Sequence, residues 1–241
     1  MRTLLWGVLP YVMFALLVSG TVWRWRYDQF GWTTRSSEIY ESKILKIASP
    51  IFHYGILFVL AGHLLGLFVP AAWTDAIGVD EHVYQLFSLY GGTVAGAVAV
   101  AGIAMLLYRR RFRAPVFRAT TANDKLMYLV LVSAIVLGMW AKLAHSALDS
   151  GYNYRDTIAP WARSLFRLQP DTGLMTGVPL LFQVHAVVGM ALIALVPYTR
   201  LIHMFSAPVQ YLFRPYIVYR SREDTSPAPA PDRRIRRRSR V

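Results

Sequence analysis

The sequence contains no cysteine and few charged residues. Of its 241 residues, only 16% are Asp, Glu, Lys or Arg, whereas 55% are hydrophobic. The absence of cysteine excludes disulfides, cysteine-ligated iron–sulfur clusters, thiolate zinc sites and covalent c-type haem attachment. A redox cofactor must therefore be bound by nitrogen or oxygen ligands, or by methionine. The scarcity of charge excludes an ordinary soluble domain of this length and indicates a membrane protein.

Five apolar runs are long enough to cross a bilayer, since each has about 20 residues or more. The first run resembles a signal peptide because an arginine precedes it. We expect it to be a retained helix, because it is long and no small-residue cleavage site follows it. The sequence therefore predicts an all-α membrane protein with five transmembrane helices. The runs are Thr3–Trp23, Ser49–Pro70, Leu86–Tyr108, Leu126–Leu148 and Val178–Leu201.

The Lys and Arg residues predict the orientation of these helices. Residues 24–47 contain five of them, residues 109–125 contain six, and the tail after His203 contains nine. Residues 71–85 contain none and residues 149–177 contain three. Because basic residues collect on the cytoplasmic side, we expect the N-terminus outside and the C-terminus in the cytoplasm. The net charge of +13 is thereby assigned to topology and not to nucleic-acid binding.

Two segments outside the spans have a composition of their own. Residues 160–167 predict a short amphipathic helix at the outer interface. Residues 223–241 are rich in Pro, Ala and Arg and predict a disordered tail. Its arginines either contact anionic lipid or an acidic partner, or form a solvated tail that reinforces the topology. The predicted division is a membrane domain over 1–222 and a basic tail over 223–241.

Four of the six histidines lie in two apolar segments. In a continuous helix, His185 and His203 are five turns apart on one face and about 27 Å apart along the axis. His53 and His63 are about 15 Å apart on the other segment. Antiparallel helices then pair His53 with His203 near the cytoplasmic face and His63 with His185 nearer the outer face. Histidine inside a membrane segment is costly and usually functional. The pairs are predicted to be the axial ligands of two haems, which carry electrons because both axial positions are filled.

Other interpretations of these histidines stay open at the level of sequence. The four can merely hydrogen-bond between helices, whereas a zinc site would need three or four ligands at one depth. His82 and His145 are either surface residues or part of a quinol or proton site near the outer haem. Arg200 either pairs with a haem propionate or only sets topology. Glycines that could leave room for a macrocycle are Gly55, Gly62 and Gly189.

Four segments together resemble a known family. They are WRYDQFGWTTRSSE at 25–38, HYGILFVLAGH at 53–63, RRRFRAPVFRATT at 109–121 and VHAVVGMALIALVPYTRLIH at 184–203. The chain resembles the gamma subunit of respiratory nitrate reductase, the di-haem cytochrome b that anchors that complex in the cell membrane. The resemblance extends from residue 1 to about residue 222.

The resemblance implies that the four histidines bind two different haems. His53 and His203 would bind the inner haem b, and His63 and His185 the outer haem b. Quinol would be oxidised beside the outer haem, with release of protons outside. Electrons would pass inward to the iron–sulfur beta subunit and then to the molybdenum alpha subunit, which reduces nitrate in the cytoplasm. The nitrate-reducing site would therefore not lie in this chain.

One stretch departs from the family pattern. The family's quinol site includes a lysine in the loop before the third helix, and residues 75–90 contain none. Gln85 is nearest to the expected place and His82 lies one turn earlier. We therefore expect the quinol site near His63, with Gln85 and His82 as candidate polar partners.

Two rival functions follow from the same residues. One is a cytochrome b of the same construction that serves another redox complex, such as a sulfur-cycle or heterodisulfide-type reductase. The other is a transporter without a cofactor, in which the intramembrane histidines relay protons.

Overall fold

The structure is a computed structural model that describes residues 1–148 and 152–206, without the side chains of residues 145–148. The predicted tail at 223–241 and the domain boundary at 222 therefore lie outside the described residues. Within the described part the chain is helical. Its α-helices are α1 (Leu9–Tyr27), α2 (Lys43–Phe68), α3 (Ala71–Ala76), α4 (Glu81–Phe112), α5 (Ala114–Arg118), α6 (Ala122–Leu148), α7 (Ile158–Phe166) and α8 (Leu180–Leu195).

Five helical segments are long and apolar enough to cross a membrane, which confirms the predicted fold class. In the 18-residue apolar stretch of each segment, only 11% to 22% is buried inside the molecule. These helices therefore present most of their apolar surface outward. A bilayer would cover that surface. The segments are Thr3–Tyr27, Lys43–Phe68, Glu81–Phe112, Ala122–Ala144 and Leu180–Tyr198.

Glycines set the closest helix contact, which joins α2 and α4. A Cβ on Gly55 would lie 2.5 Å from the Ala99 nitrogen, and one on Gly102 would lie 2.4 Å from the Phe52 nitrogen. Neither position tolerates a side chain, because the two backbones approach each other there. The prediction that Gly55 leaves room for a haem is therefore wrong, because the backbone of α4 occupies the space beside this glycine.

The remaining spanning helices continue the bundle from α4 to α6, from α6 to α8 and from α8 to α1. By contrast, α2 and α8 share almost no close backbone contacts among the described residues. The helix predicted within residues 160–167 forms as α7. It buries Trp161 at 5.5 Å, ring centre to ring centre, from Trp6 at the start of the first span.

The fifth span is not one continuous helix. Helix α8 ends at Leu195 and is followed by the 3₁₀ turn Val196–Tyr198, by extended Thr199, and by the 3₁₀ helix Arg200–Ser206. Pro197 has no backbone N–H to donate, so the regular helix stops at this point. The prediction that His185 and His203 share one face of a straight helix, about 27 Å apart, is therefore wrong.

Two side chains bind the carbonyls that this break leaves open. Arg24 at the end of α1 donates from Nε to the Pro197 oxygen at 2.6 Å. Asn123 at the start of α6 donates to the Tyr198 oxygen at 2.7 Å. Unpaired carbonyls in an apolar surround are costly, so these two bonds stabilise the irregular segment.

Candidate functional site

The structure brings four histidines together as two pairs, namely His53, His63, His185 and His203. The rings of His53 and His203 have centres 6.1 Å apart, and those of His63 and His185 have centres 5.9 Å apart. His53 of α2 faces His203, and His63 of α2 faces His185. The order of the histidines is thus opposite on the two segments, so the segments are antiparallel. Along α2 the two pairs are about 15 Å apart.

Backbone carbonyls orient three of the four imidazoles. The Nδ1 atoms of His53, His63 and His203 lie 2.7, 2.8 and 2.5 Å from the oxygens of Ser49, Val59 and Arg200 respectively. A carbonyl oxygen only accepts, so Nδ1 carries the proton in each case. The lone pair is then on Nε2, the atom that such a hydrogen bond leaves available to a metal.

The spacing of the rings fits axial ligation of one metal by each pair. Two imidazoles that bind a metal from opposite sides, at metal–nitrogen distances of about 2 Å, have ring centres about 6 Å apart. Among the described residues, no three His, Asp or Glu side chains gather closely enough to hold an ion together. Each pair thus offers two nitrogen ligands, which suits a metal whose other ligands come from a macrocycle.

Open space beside the pairs also fits a macrocycle. A Cβ added to Gly62, next to His63, or to Gly189, one turn after His185, would meet no atom of a neighbouring element within 4 Å. Both glycines lie on the helices that carry the His63–His185 pair, and α2 and α8 hardly touch one another in the described part of the chain.

The ring of His185 rests against Gly138 of α6. A Cβ on Gly138 would lie 2.8 Å from the imidazole Cε1 and 3.3 Å from Nε2. Unlike the other three, His185 makes no hydrogen bond through its buried Nδ1 within the described structure. The close contact with Gly138 therefore helps to position this imidazole.

An ion pair positions the segment that carries His203. Arg200 donates from Nε and Nη2 to the Asp124 carboxylate at 2.9 and 2.7 Å, and both side chains are nearly buried. Its Nη1 donates to the carbonyls of Thr34 and Arg35 at 3.2 and 3.3 Å. The guanidinium thus joins the first connecting loop, α6 and the 3₁₀ helix of His203. A propionate contact for Arg200 stays a prediction.

A second buried arginine organises the same end of the bundle. Arg109, in the last turn of α4, donates to the Glu41 carboxylate at 2.6 Å and to the Ser37 hydroxyl and carbonyl at 2.8 Å. Glu41 also accepts from the Ile44 backbone N–H at 2.8 Å, at the first turn of α2. Burial raises the pKa of the Glu41 carboxyl, but these hydrogen bonds outweigh it and the pKa is lowered overall.

The opposite end carries a polar cluster around the start of α4. Gln85 is exposed and donates to Glu81 at 3.2 Å, and His82 is exposed on the same turn. Glu81 also accepts from the buried Arg155 at 2.7 Å. The proposed quinol roles of Gln85 and His82 stay predictions, and the side chain of His145 lies outside the described residues.

Deeper in the membrane than this cluster, Lys142 of α6 donates to the Ser88 hydroxyl of α4 at 2.9 Å. The sequence places Lys142 inside the apolar run Leu126–Leu148 but does not identify its partner. Sequence reasoning missed Gly138 and Asp124 altogether. Two signals were available. Gly138 is the only glycine in α6, and Asp124 is the only carboxylate in that helix. Neither signal names the residue that it contacts.

Comparison with known proteins decides the family. A sequence profile described as nitrate reductase gamma subunit matches residues 2–222. The chain belongs to the nitrate reductase gamma subunit family. The predicted resemblance is thereby confirmed, and with five spanning segments this family member is a multi-pass cell-membrane protein.

Individual relatives of this gamma subunit family member cover it almost completely. The nitrate reductase gamma chain of Bacillus subtilis is 39% identical over 220 residues, which are 91% of this chain and 98% of that one. The respiratory nitrate reductase 1 gamma chain of Escherichia coli is 32% identical over 216 residues, 89% and 95% of the two chains.

A third relative is longer. The nitrate reductase-like protein NarX of Mycobacterium tuberculosis is 54% identical over 225 residues, which are 93% of this chain. The chain spans about a third of the length of that protein, namely 34%.

Proposed function

We propose that this chain oxidises quinol at the end of the bundle where His63 and His185 lie. It delivers the electrons at the end where His53 and His203 lie, to the next subunit of a nitrate reductase. The observation that carries this proposal is the geometry of the two ring pairs, at about 6 Å in each case and at two depths between α2 and the fifth span.

In this proposal His53 and His203 hold one haem b, and His63 and His185 hold the other. When bound, haem supplies one-electron transfer, and a bis-histidine site leaves no axial position for a substrate. The carbonyls behind three of the imidazoles hold Nε2 toward the metal and raise the basicity of the ligand. A bilayer around these helices would keep water away from both pairs.

The charge distribution supports this direction of transfer. Basic side chains lie in the last turns of α1 and α4 and at the start of α2, and these three helix ends flank the His53–His203 pair. We assign this end to the cytoplasm, with the N-terminus outside. The iron–sulfur beta subunit would dock there and pass electrons to the molybdenum alpha subunit, while quinol protons leave on the outer side.

The test begins with the purified full-length chain. We expect a reduced-minus-oxidised spectrum of low-spin b-type haem and a pyridine haemochrome count of two per chain. A quinol should reduce both haems in the wild type. The His63→Ala chain should lose one haem and its reduction by quinol, whereas an artificial donor to the partner subunits should still support nitrate reduction.

Matched controls make this test specific. The His82→Ala chain changes a histidine on the surface and should keep two haems. Loss of a haem from His82→Ala and not from His63→Ala would contradict the assignment. A folded, colourless wild type would instead favour a cofactor-free transporter. Co-purification with subunits of a sulfur-cycle or heterodisulfide-type reductase would move the chain to that class of complex.

A further inference from the structure

A groove runs across the end of the bundle where His53 and His203 lie. One wall is the loop before α2, at residues 38–43, and the other is the end of α4 together with α5, at residues 112–115, 118 and 119. The larger part of the groove has a volume of about 630 Å³ and the smaller part about 350 Å³. Tyr40 and Pro115 line both parts, so the two form one surface, which we call the inner groove.

Both walls of the inner groove are held in place by buried side chains. Arg109 is 2% exposed and donates to the Ser37 hydroxyl and carbonyl and to the Glu41 carboxylate, which fixes the loop wall. On the helix wall, Val116 of α5 is fully buried. A surface that is ordered before binding loses less conformational entropy when a partner docks on it.

The fixed walls present large apolar side chains to the outside. Ile39 is 95% exposed, Phe112 is 66% exposed and Tyr40 is 55% exposed. Ile39 and Tyr40 lie between the first two spanning segments and not within either of them, so the core of a bilayer does not account for their exposure. An isoleucine that a fixed loop holds away from the protein's own core gains free energy when another surface covers it.

Charges of both signs surround these apolar side chains. Lys43, Arg113 and Arg118 line the inner groove and are exposed, and Glu38 is exposed beside Ile39. The basic residues would attract anionic lipid, but the same lipid would repel the glutamate next to the most exposed apolar side chain. An apolar centre within a polar rim of mixed charge is the composition of a protein–protein interface. The excess of basic residues in that rim is complementary to acidic residues on the partner.

The inner groove also lies close to the inner histidine pair. Lys43, on the wall of the groove, is the first residue of α2. His53 follows ten residues later, which is about 15 Å along the helix axis. A protein docked in the groove is therefore about three helical turns from the imidazole that faces His203.

We propose that the inner groove docks the subunit that accepts the electrons, through a segment of that subunit that carries an apolar or aromatic side chain flanked by acidic residues. Ile39, Tyr40 and Phe112 contact the apolar side chain, and Arg113 and Arg118 pair with the carboxylates. This inference rests on the proposed function, because it assigns a docking surface to the electron acceptor of that reaction.

The test uses the full-length, haem-loaded chain, tagged and co-expressed with the iron–sulfur and molybdenum subunits of the reductase. Ile39→Asp places a charge at the centre of the inner groove. Central apolar residues carry much of the free energy of an interface, so we expect this variant to weaken capture of both subunits about tenfold or more. The matched control is Ile77→Asp, since Ile77 is 77% exposed at the opposite end of the bundle, and it should capture both subunits like the wild type.

A charge variant tests the polar rim. Arg113→Glu should weaken capture, and the difference from the wild type should be larger at low salt than at high salt, because salt screens exposed charges. Arg113→Lys keeps the charge and should retain most of the capture.

Cross-linking identifies the occupant directly. The chain contains no cysteine, so Ile39→Cys can be labelled with a benzophenone reagent at that single site. The labelled chain, in nanodiscs that contain phosphatidylglycerol, is mixed with reductase subunits purified without it and then illuminated. We expect a cross-link to the iron–sulfur subunit from position 39 and none from labelled Ile77→Cys.

The haem count and the rate of haem reduction by menadiol separate docking from folding, and both should be unchanged in Ile39→Asp. If Ile39→Asp lost a haem, capture by Arg113→Glu would decide, and capture equal to that of the wild type would overturn the inference.

Equal capture by Ile39→Asp and the wild type would overturn the inference and leave the proposed function intact. A cross-link from position 39 to phosphatidylglycerol or to a second copy of this chain, and not to a reductase subunit, would overturn it in favour of that occupant. A haem-loaded wild type that captures no reductase subunit would overturn the proposed delivery of electrons to a nitrate reductase and this inference together.

Discussion

The two histidine pairs have the same ring spacing but are supported in different ways. The His53–His203 pair depends on an irregular segment, which the Asp124–Arg200 ion pair and the Arg24 bond to Pro197 hold in place. The His63–His185 pair lies on two regular helices, and the His185 ring packs against Gly138 of α6.

The difference shows that one geometry can be reached by polar anchors at a membrane edge or by packing in its interior. Near the end of the bundle, charged side chains can be held by several hydrogen bonds at tolerable cost. In the apolar interior, a glycine leaves room for a ring because it has no side chain. This costs less free energy than burying a polar partner there. The two pairs should therefore be sensitive to different substitutions.

The largest expected difference comes from removing the ionic anchor of the inner pair. Asp124→Asn leaves the nearly buried Arg200 guanidinium without its counter-ion, which typically costs about 3 kcal/mol or more. We expect loss of the haem assigned to His53 and His203, read from the haem count and from thermal bleaching, while the outer haem stays. Asp156→Asn, on an exposed loop, should change neither. Loss of the outer haem instead would invert the comparison.

A smaller effect should follow from adding a side chain at Gly138, which contacts the His185 ring. Gly138→Ala forces the His185 ring to move, and overpacking of this kind costs about 1–3 kcal/mol. Weakening or spectral shift of the outer haem alone is expected in a reduced-minus-oxidised spectrum. Gly91→Ala is the matched control, because a Cβ there meets no neighbour within 4 Å. An unchanged outer haem in Gly138→Ala would show that packing does not set this ring.

The smallest effect concerns the loop that Arg109 holds near the inner pair. Glu41→Gln should lower stability at neutral pH by about 1 kcal/mol, because a charge-assisted hydrogen bond becomes a neutral one. The folded-state pKa of Glu41 is lowered, so its contribution is present above the ordinary value of 4.5 and is lost as pH falls through the folded value. Thermal unfolding in detergent should therefore separate the two proteins at neutral pH and not in strong acid. A constant separation at every pH would contradict this role.

The sequence predicted the spans and the histidine pairing well, because both follow from apolar run length and from the alternation of helix direction. It failed where backbone regularity failed. The prediction of an unbroken helix through Pro197 placed His203 in line with α8, whereas it lies in a separate 3₁₀ helix. Pro197 was the available signal, because proline lacks the N–H of a regular helix. Long-range partners such as Asp124 for Arg200 and Gly138 for His185 depend on which helices become neighbours, and one chain's residue pattern does not specify that.

The most direct test of the central claim is the haem count of four single variants beside the wild type. If the ring pairs bind two haems, His53→Ala and His203→Ala should each lose the same spectral component. His63→Ala and His185→Ala should each lose the other component, with one haem remaining in every case. If instead His53→Ala and His63→Ala lose the same component, or if any of the four keeps two unaltered haems, the paired-ligand account is contradicted.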